Sequence, residues 1–356
     1  MEKKTVAVLF GGVSSEHDVS LISVTSVLQH IPTDRYDIVK VGITKDGRWL
    51  HFTGDNDLIH NGAWESYPTN RTAFFTPDPT VGGLVVKNDT GCEVLPVDVV
   101  FPVLHGKNGE DGTLQGLLQM SGIPFVGCDL LSSAACMDKG VTNILLEAAG
   151  VPQAKFLWLY AGDYEQKKDA VREEITTRLG GYPVFVKPAN AGSSVGVSKV
   201  HCEAELDDAI AKAAREDGKL VIEEAIVGQE VECAVLGNEE PKASVVGEIA
   251  TDADFYDYED KYINGTSQLF IPARIPAETA EEIRKIAVHA YRSLGCGGLS
   301  RVDFFVRKSD GKIFLNELNT LPGFTSISMY PKLWEHSGLP YGELLDTLIQ
   351  LAFART

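Results

Sequence analysis

The chain opens on short apolar runs that alternate with stretches whose apolar positions recur at helical spacing. Thr5–Phe10 is apolar throughout and runs directly into Gly11-Gly12. That length and ending predict a buried strand, not a signal peptide. Asp18 to about His30 reads as a helix, with Val19, Ile22, Val27 and Leu28 on its apolar side. Strands are predicted over Tyr36–Thr44, Asp98–Leu104 and Ile123–Val126, and a helix over Thr113–Ser121. Between residues 53 and 90 the pattern weakens and predicts little. Strand–helix–strand succession implies a mostly parallel sheet with helices on both faces.

The middle third is a different unit. Helices are predicted over Lys139–Ala149, ending at Gly150, and over Asp163–Leu179 with Asp163 as N-cap. Tyr182–Lys187 and Val197–Val200 read as strands around the small-residue loop 188–198, PANAGSSVGVS. Ala204–Glu216 follows as helix and Leu220–Glu224 as strand. Glu230–Leu236 and Ala243–Ile249 read as an antiparallel pair. The acidic, aromatic stretch 251–268 carries no regular pattern, which in a compact enzyme marks a lid or binding loop. Thr279–Leu294 is predicted as helix.

The last strongly patterned stretch, residues 301–320, holds the most chemistry. Ser309-Asp310-Gly311 lies between two strand-forming runs and predicts a three-residue hairpin loop with a positive φ at Gly311. Lys308 then pairs with Lys312, Asp303 lies opposite Glu317, and Arg301 opposite Asn319. A two-residue Asp-Gly loop would set Asp303 against Leu318, a carboxylate against an apolar side chain, and is rejected. Strand side chains alternate, so all four polar groups share one face. Two carboxylates, an amide oxygen and a guanidinium suit Mg²⁺ and a phosphate-bearing ligand.

Composition narrows the class. At 356 residues the chain is long enough for two or three domains, and its 44% hydrophobic content fits a soluble globular protein. No apolar stretch approaches a membrane span. The six cysteines are scattered without a CxxC pair, which favours free thiols in a reducing cytoplasm over disulfides or zinc. A net charge of −18 disfavours nucleic acid and anionic membranes as partners.

Other segments add candidates. Gly192, Ser193, Ser194 and Gly196 offer closely spaced N–H donors and two hydroxyls for a phosphate, with Lys187 entering the loop and Lys139 upstream. No GK[ST] follows, so this is not a Walker A loop, and by itself it reads equally as a flexible hairpin. Glu223 and Glu224 interrupt an apolar strand. On spacing alone that is better read as an edge strand with exposed glutamates. The alternative is a nucleotide edge, with Glu223 or Glu224 accepting adenine amino hydrogens, Ala225 and Ile226 flanking the base and Glu230 on a ribose hydroxyl. Glu16 and His105 follow the carboxyl ends of predicted strands, where ligands gather in open α/β sheets. Glu16 suits a substrate ammonium. His105, in a loop of glycines and charges, is expected at a ligand more than in a core.

Together these pieces resemble the ATP-grasp ligases, and within them the D-alanine–D-alanine ligase family. The resemblance rests on residues 9–21 (LFGGVSSEHDVSL), 103–116 (VLHGKNGEDGTLQG), 186–200 (VKPANAGSSVGVSKV), 256–268 (YDYEDKYINGTSQ), and 301–305 (RVDFF) with 316–331 (NELNTLPGFTSISMYP). It implies an α/β ATP-grasp fold, α+β in its C-terminal part. The expected units are a Rossmann-like parallel-sheet domain over 1–127, a central subdomain over 128–223, and a C-terminal subdomain over 224–356 with a lid at 251–268. It implies ATP between two antiparallel sheets, and two Mg²⁺ ions, replaceable by Mn²⁺, on Asp303, Glu317 and Asn319. Lys139, Lys187 and Ser194 would meet the phosphates, Glu223, Glu224 and Ile226 the adenine and Glu230 the ribose, with Tyr256, carried on the lid, also binding the nucleotide.

The resemblance further implies that Glu16 takes the first D-alanine's ammonium and closes with Ser193 and Tyr262. Arg301 and the Gly323 N–H would stabilise an oxyanion, and Lys261, Ser328 and Met329 the second carboxylate, with His105 also on substrate. D-Lactate-using relatives carry histidine where Tyr262 stands, and D-serine-using relatives arginine where Met329 stands, so D-alanine is expected as second substrate. A cytoplasmic homodimer making a cell-wall precursor is the leading expectation. A D-serine or D-lactate ligase, and a non-catalytic nucleotide-binding protein, are the alternatives. The intact set Arg301, Asp303, Glu317 and Asn319 speaks against the last.

Overall fold

The computed structural model describes residues 3–250 and 268–355, and these form three sheets. The first contains β1 (Lys4–Gly11), β2 (Tyr36–Ile43), β3 (Trp49–Phe52), β4 (Arg71–Phe74), β5 (Gly83–Asn88), β6 (Gly91–Pro96) and β7 (Val99–Val103), in the order β6-β5-β4-β3-β2-β1-β7. β1 is apolar from Val6 to Phe10, where it is covered on both faces and has no exposed surface. Val6, Val8 and Phe10 join one hydrophobic cluster, while Ala7 and Leu9 join another on the opposite face. The first of these clusters also contains Tyr330, Leu344, Leu345 and Leu348, from the helices Met329–His336 and Tyr341–Phe353.

β1 runs parallel to its neighbours β2 and β7, as expected. The sheet is not mostly parallel, however. The β2–β3, β3–β4, β4–β5 and β5–β6 pairings are antiparallel. Of these strands β4 and β5 lie in the stretch where the pattern predicted little, and β3 and β6 flank it. β4 has one buried residue, Ala73, and β6 has none, so neither shows a readable alternation. The strand predicted over Ile123–Val126 is reduced to a single parallel bridge, Val100 to Phe125.

The second sheet holds β8 (Phe156–Tyr160), β9 (Val184–Pro188), β10 (Ser198–Val200) and β11 (Lys219–Glu224), in the order β10-β9-β11-β8. The third holds β12 (Gly228–Leu236), β13 (Lys242–Ala250), β14 (Gln268–Phe270), β15 (Leu299–Arg307) and β16 (Ile313–Asn319), in the order β14-β13-β12-β15-β16. Every pairing within these two sheets is antiparallel. Asp138 caps the helix Lys139–Ala148 by accepting from the Val141 N–H at 3.0 Å, which orients Lys139 at its first position. Asp163 occupies the predicted N-cap of the helix Tyr164–Glu174, but its carboxylate accepts from Lys167 Nζ instead of capping.

Candidate active site

The β15–β16 hairpin brings Asp303 opposite Glu317 and Arg301 opposite Asn319, as the alternation required. It arrives there by a different route. The turn is closed by Arg307 N–H donating to Lys312 O at 2.8 Å and Gly311 N–H to Arg307 O at 2.9 Å. Lys308 therefore belongs to a four-residue loop and does not pair with Lys312. Gly311 has the expected positive φ of 71°. The ladder shifts between Asp303 and Phe304, where Asn316 is the extra residue of a β-bulge in β16. The longer loop and the bulge offset each other, so the pairing at the charged end is the predicted one.

At that end Arg301 Nε donates to Asp303 Oδ1 at 2.7 Å and Nη2 to Oδ2 at 2.6 Å. Asn319 Nδ2 donates to Asp303 Oδ2 at 3.0 Å and to Glu317 Oε1 at 3.5 Å. Glu232, on β12 opposite Asp303, brings Oε2 within 3.1 Å of Arg301 Nε. Burial alone would lower the Arg301 pKa, but Asp303 and Glu232 outweigh it and hold the guanidinium well above its ordinary value.

Across from β16, Lys187 Nζ donates to Glu223 Oε2 at 2.5 Å, and Asn143 Nδ2 to Glu223 Oε1 at 3.0 Å. Glu223 was expected at an adenine; its two oxygens instead hold a lysine and an amide. Burial pulls the Lys187 pKa down, but Glu223 outweighs it and the net shift is upward. Lys139 donates to Ala191 O at 2.7 Å, and burial lowers its pKa against the opposing pull of Glu317. The Glu224 carboxylate accepts from Lys155 N–H at 2.8 Å.

These groups line a cleft of about 630 Å³ between the second and third sheets, with Phe185, Ile226 and Leu315 as apolar wall and Ser194, Glu224 and Glu230 also on it. That volume is typical of a small-molecule site. A chamber of about 80 Å³ adjoins it, lined by Glu16, Gly106, Glu110, Gly192 and Asn319. Lys139, Asn143, Ser193, Asn316 and Glu317 line both.

Loops build the chamber. Ser193 and Ser194 have φ of 49° and 60°, a left-handed backbone that costs roughly 1 kcal/mol or more per non-glycine residue. Ser193 Oγ donates to Glu16 Oε1 at 2.5 Å. A Cβ on Gly106 or Gly192 would lie 2.5 or 2.7 Å from Glu16 Oε2, so only glycine lets both loops close on that carboxylate. Glu110 accepts from Gly106 N–H at 2.6 Å and Leu321 N–H at 3.0 Å. Burial, with Glu16 nearby, pushes its pKa up to about 8. His105 does not stand open at a ligand. It is buried, with Nδ1 3.0 Å from Leu321 O and Nε2 3.0 Å from Ser23 Oγ, and burial lowers its pKa.

After β16, Ser328 Oγ accepts from Thr325 N–H at 3.0 Å, and a Cβ on Gly323 would lie 2.8 Å from that oxygen. Met329 is 4% exposed, within the core cluster that includes Leu333, so its side chain does not offer itself to a carboxylate. Tyr256, Lys261 and Tyr262, with the predicted lid up to residue 267, lie outside the described residues. Sequence reasoning missed Glu110, Asn143, Glu232 and Asn316. Asn143 carried a signal, being four residues beyond Lys139 on the same helix face. Glu232 also did, as a charge inside the apolar run of β12.

Among the described residues no group of three or more His, Cys, Asp and Glu side chains is placed to hold a metal ion. A cation here would rest on Asp303, Glu317 and the Asn319 amide, with phosphate oxygens completing its shell. That donor set fits Mg²⁺, which takes few protein ligands. All six cysteines are free, and no described helix is long and apolar enough to cross a membrane.

Known proteins share this arrangement along its whole length. Residues 5–128 match the model of the D-ala D-ala ligase N-terminus, and residues 145–350 that of its C-terminus. A D-alanine–D-alanine ligase of Acetivibrio thermocellus is 51% identical, over 99% of this chain and 97% of that protein. One from Caldicellulosiruptor bescii is 50% identical, over 100% and 96%. Among solved structures, the VanG D-Ala:D-Ser ligase of Enterococcus faecalis superposes with a TM-score of 0.89 at 43% identity, over 99% of this chain and 100% of that one. The D-alanine–D-alanine ligase of Coxiella burnetii gives 0.86 at 36%, over 99% and 96%. With both halves of the family model matched and relatives near half identity over the full chain, the chain belongs to the D-alanine–D-alanine ligase family.

Proposed function

We propose that the chain is an ATP-dependent ligase that joins two D-alanines into D-alanyl-D-alanine for peptidoglycan precursors. A carboxylate oxygen of the first D-alanine attacks the γ-phosphorus of ATP, the bond to the β-phosphate breaks, and an acyl phosphate and ADP result. The amine of the second attacks that carbonyl, and phosphate leaves. The observation that carries this reading is the hydrogen-bonded set Arg301, Asp303, Asn319 and Glu317, of which Glu317 lines both a nucleotide-sized cleft and a chamber walled by Glu16.

Roles follow from the chemistry of each group. Lys139 and Lys187 face the phosphates, with the Ser193–Ser194 backbone over the transferred one. Ile226 and the Glu224 main chain flank adenine, Glu230 meets the ribose, and Glu223 holds Lys187. Glu16 takes the first ammonium. Arg301 and the Gly323 N–H stabilise the oxyanion of the tetrahedral intermediate. Ser328 and the Met329 main chain take the second carboxylate. Mg²⁺ held by Asp303, Glu317 and Asn319 would lower the repulsion between a carboxylate nucleophile and a triphosphate. Small loops closed around Glu16 limit water, which would hydrolyse an acyl phosphate.

Phosphate release from Mg-ATP with D-alanine, D-serine or D-lactate added in turn tests the reading. Turnover with D-alanine alone and formation of the dipeptide are expected; no release with any of the three sinks it. A second reading, D-serine as the second substrate, is favoured by the likeness to the D-Ala:D-Ser ligase. It is decided by which mixed dipeptide forms when D-alanine and D-serine compete.

A further inference from the structure

Glu232 has no role in the reading above, yet it stands at one end of the charged row. One row across three strands holds Glu232 opposite Asp303 and Asp303 opposite Glu317. Like charges directly opposite one another are destabilising, and Glu232 and Asp303 are only 4% and 3% exposed. The next row holds Ala234, Arg301 and Asn319. Arg301 reaches back from that row to both acids. Its Nε lies 2.7 Å from Asp303 Oδ1 and 3.1 Å from Glu232 Oε2, while Nη2 lies 2.6 Å from Asp303 Oδ2.

This places two demands on Asp303. Both its oxygens accept from Arg301, and Oδ2 also from Asn319. A divalent cation would draw on the same oxygens. If Asp303 were the sole counter-charge of Arg301, turning it toward a cation would leave a buried guanidinium without a partner, which is strongly unfavourable. Among the described residues no three acidic, histidine or cysteine side chains are placed to hold one ion. The Glu232 carboxylate faces the Nε edge of Arg301.

We infer that Glu232 is a positioning residue for Arg301: it keeps the guanidinium fixed at the reacting centre when Asp303 turns its carboxylate to a divalent cation. The inference rests on the assignment of Asp303, Glu317 and Asn319 as the cation-holding set. It goes beyond that assignment by making the affinity for the cation depend on a carboxylate that does not touch it.

Calorimetric titration of the full chain with ADP, across a series of Mg²⁺ concentrations, tests this without turnover. Glu232→Gln keeps the shape and removes the charge. The Mg²⁺ needed for half-maximal ADP affinity is expected to rise about tenfold, the scale of residues that act through a metal-site neighbour. Glu232→Asp keeps the charge and should give a smaller rise; it carries the test by itself if the glutamine variant does not fold. A structural role alone would lower the melting temperature in EDTA and leave the Mg²⁺ midpoint unmoved, and that result overturns the inference. ADP binding by the parent chain that ignores Mg²⁺ would overturn the cation assignment beneath it, a separate and recognisable failure.

Discussion

Two acidic clusters meet at one chamber: one built on strands, which reaches it through Glu317, and one on loops, Glu16 and Glu110. On β12, β15 and β16, Glu232, Asp303 and Glu317 stand in a row with Arg301 among them, so much of the negative charge is answered inside the cluster. On the loops, Glu16 and Glu110 come from different segments and form no ion pair among the described residues. Their partners are a serine hydroxyl and two backbone N–H groups. Dipoles compensate a buried charge less than a guanidinium does, and burial with Glu16 nearby therefore pushes Glu110 up to about 8. The strand cluster is held by its own ion pairs and hydrogen bonds. The loop cluster is short of positive charge, which suits it to a substrate ammonium.

The strand cluster should fail outright when one charge is removed. Glu317→Gln is expected to cut turnover at least a hundredfold, about 2.7 kcal/mol in the barrier, while the melting temperature moves by only a few degrees. Near-normal turnover in Mg-ATP, or a collapse of the fold, would erase the distinction between a site charge and a structural one.

The loop cluster should instead respond to pH. A carboxylate near an ammonium is most useful when ionised, so the KM for D-alanine should rise as pH falls below about 8, where Glu110 takes up its proton. Glu110→Gln should flatten that dependence, with a change of severalfold in KM. The stability linkage has the opposite sense. The folded pKa lies above the unfolded one, so the contribution to stability is complete below about 4.3 and is lost as pH rises through about 8. Melting curves of the ligand-free chain that show no such loss would remove Glu110 from the comparison.

His105 should give the smallest effect. Burial lowers its pKa, so the stability it contributes is present above about 6.5 and is lost as pH falls toward its folded value. His105→Gln should lessen the acid-side fall in melting temperature by a few degrees. An equal fall in both proteins would show that the Leu321 and Ser23 contacts do not depend on a neutral ring.

How much was legible follows the same division. β1 and the helices Thr113–Ser121 and Lys139–Ala148 declare themselves by apolar runs and helical spacing, because their burial pattern is local. The shared face of Arg301, Asp303, Glu317 and Asn319 also follows from the sequence, because alternation along a strand needs no knowledge of the rest of the fold. β4 and β6 do not, since short strands with at most one buried side chain carry no period. The hairpin turn was misread, and Asn316 restored the register only because a bulge is set by pairing with a neighbour. Burial of His105 depends on Ser23 and Leu321, and the pairing of Glu223 on Lys187 and Asn143. The sequence by itself determined which groups lie on one strand face and which chemistry they can do. The tertiary structure alone decided that Lys187 stands beside Glu223 and Arg301 beside Glu232, because Coulomb energy and desolvation there depend on distances between residues far apart in the chain.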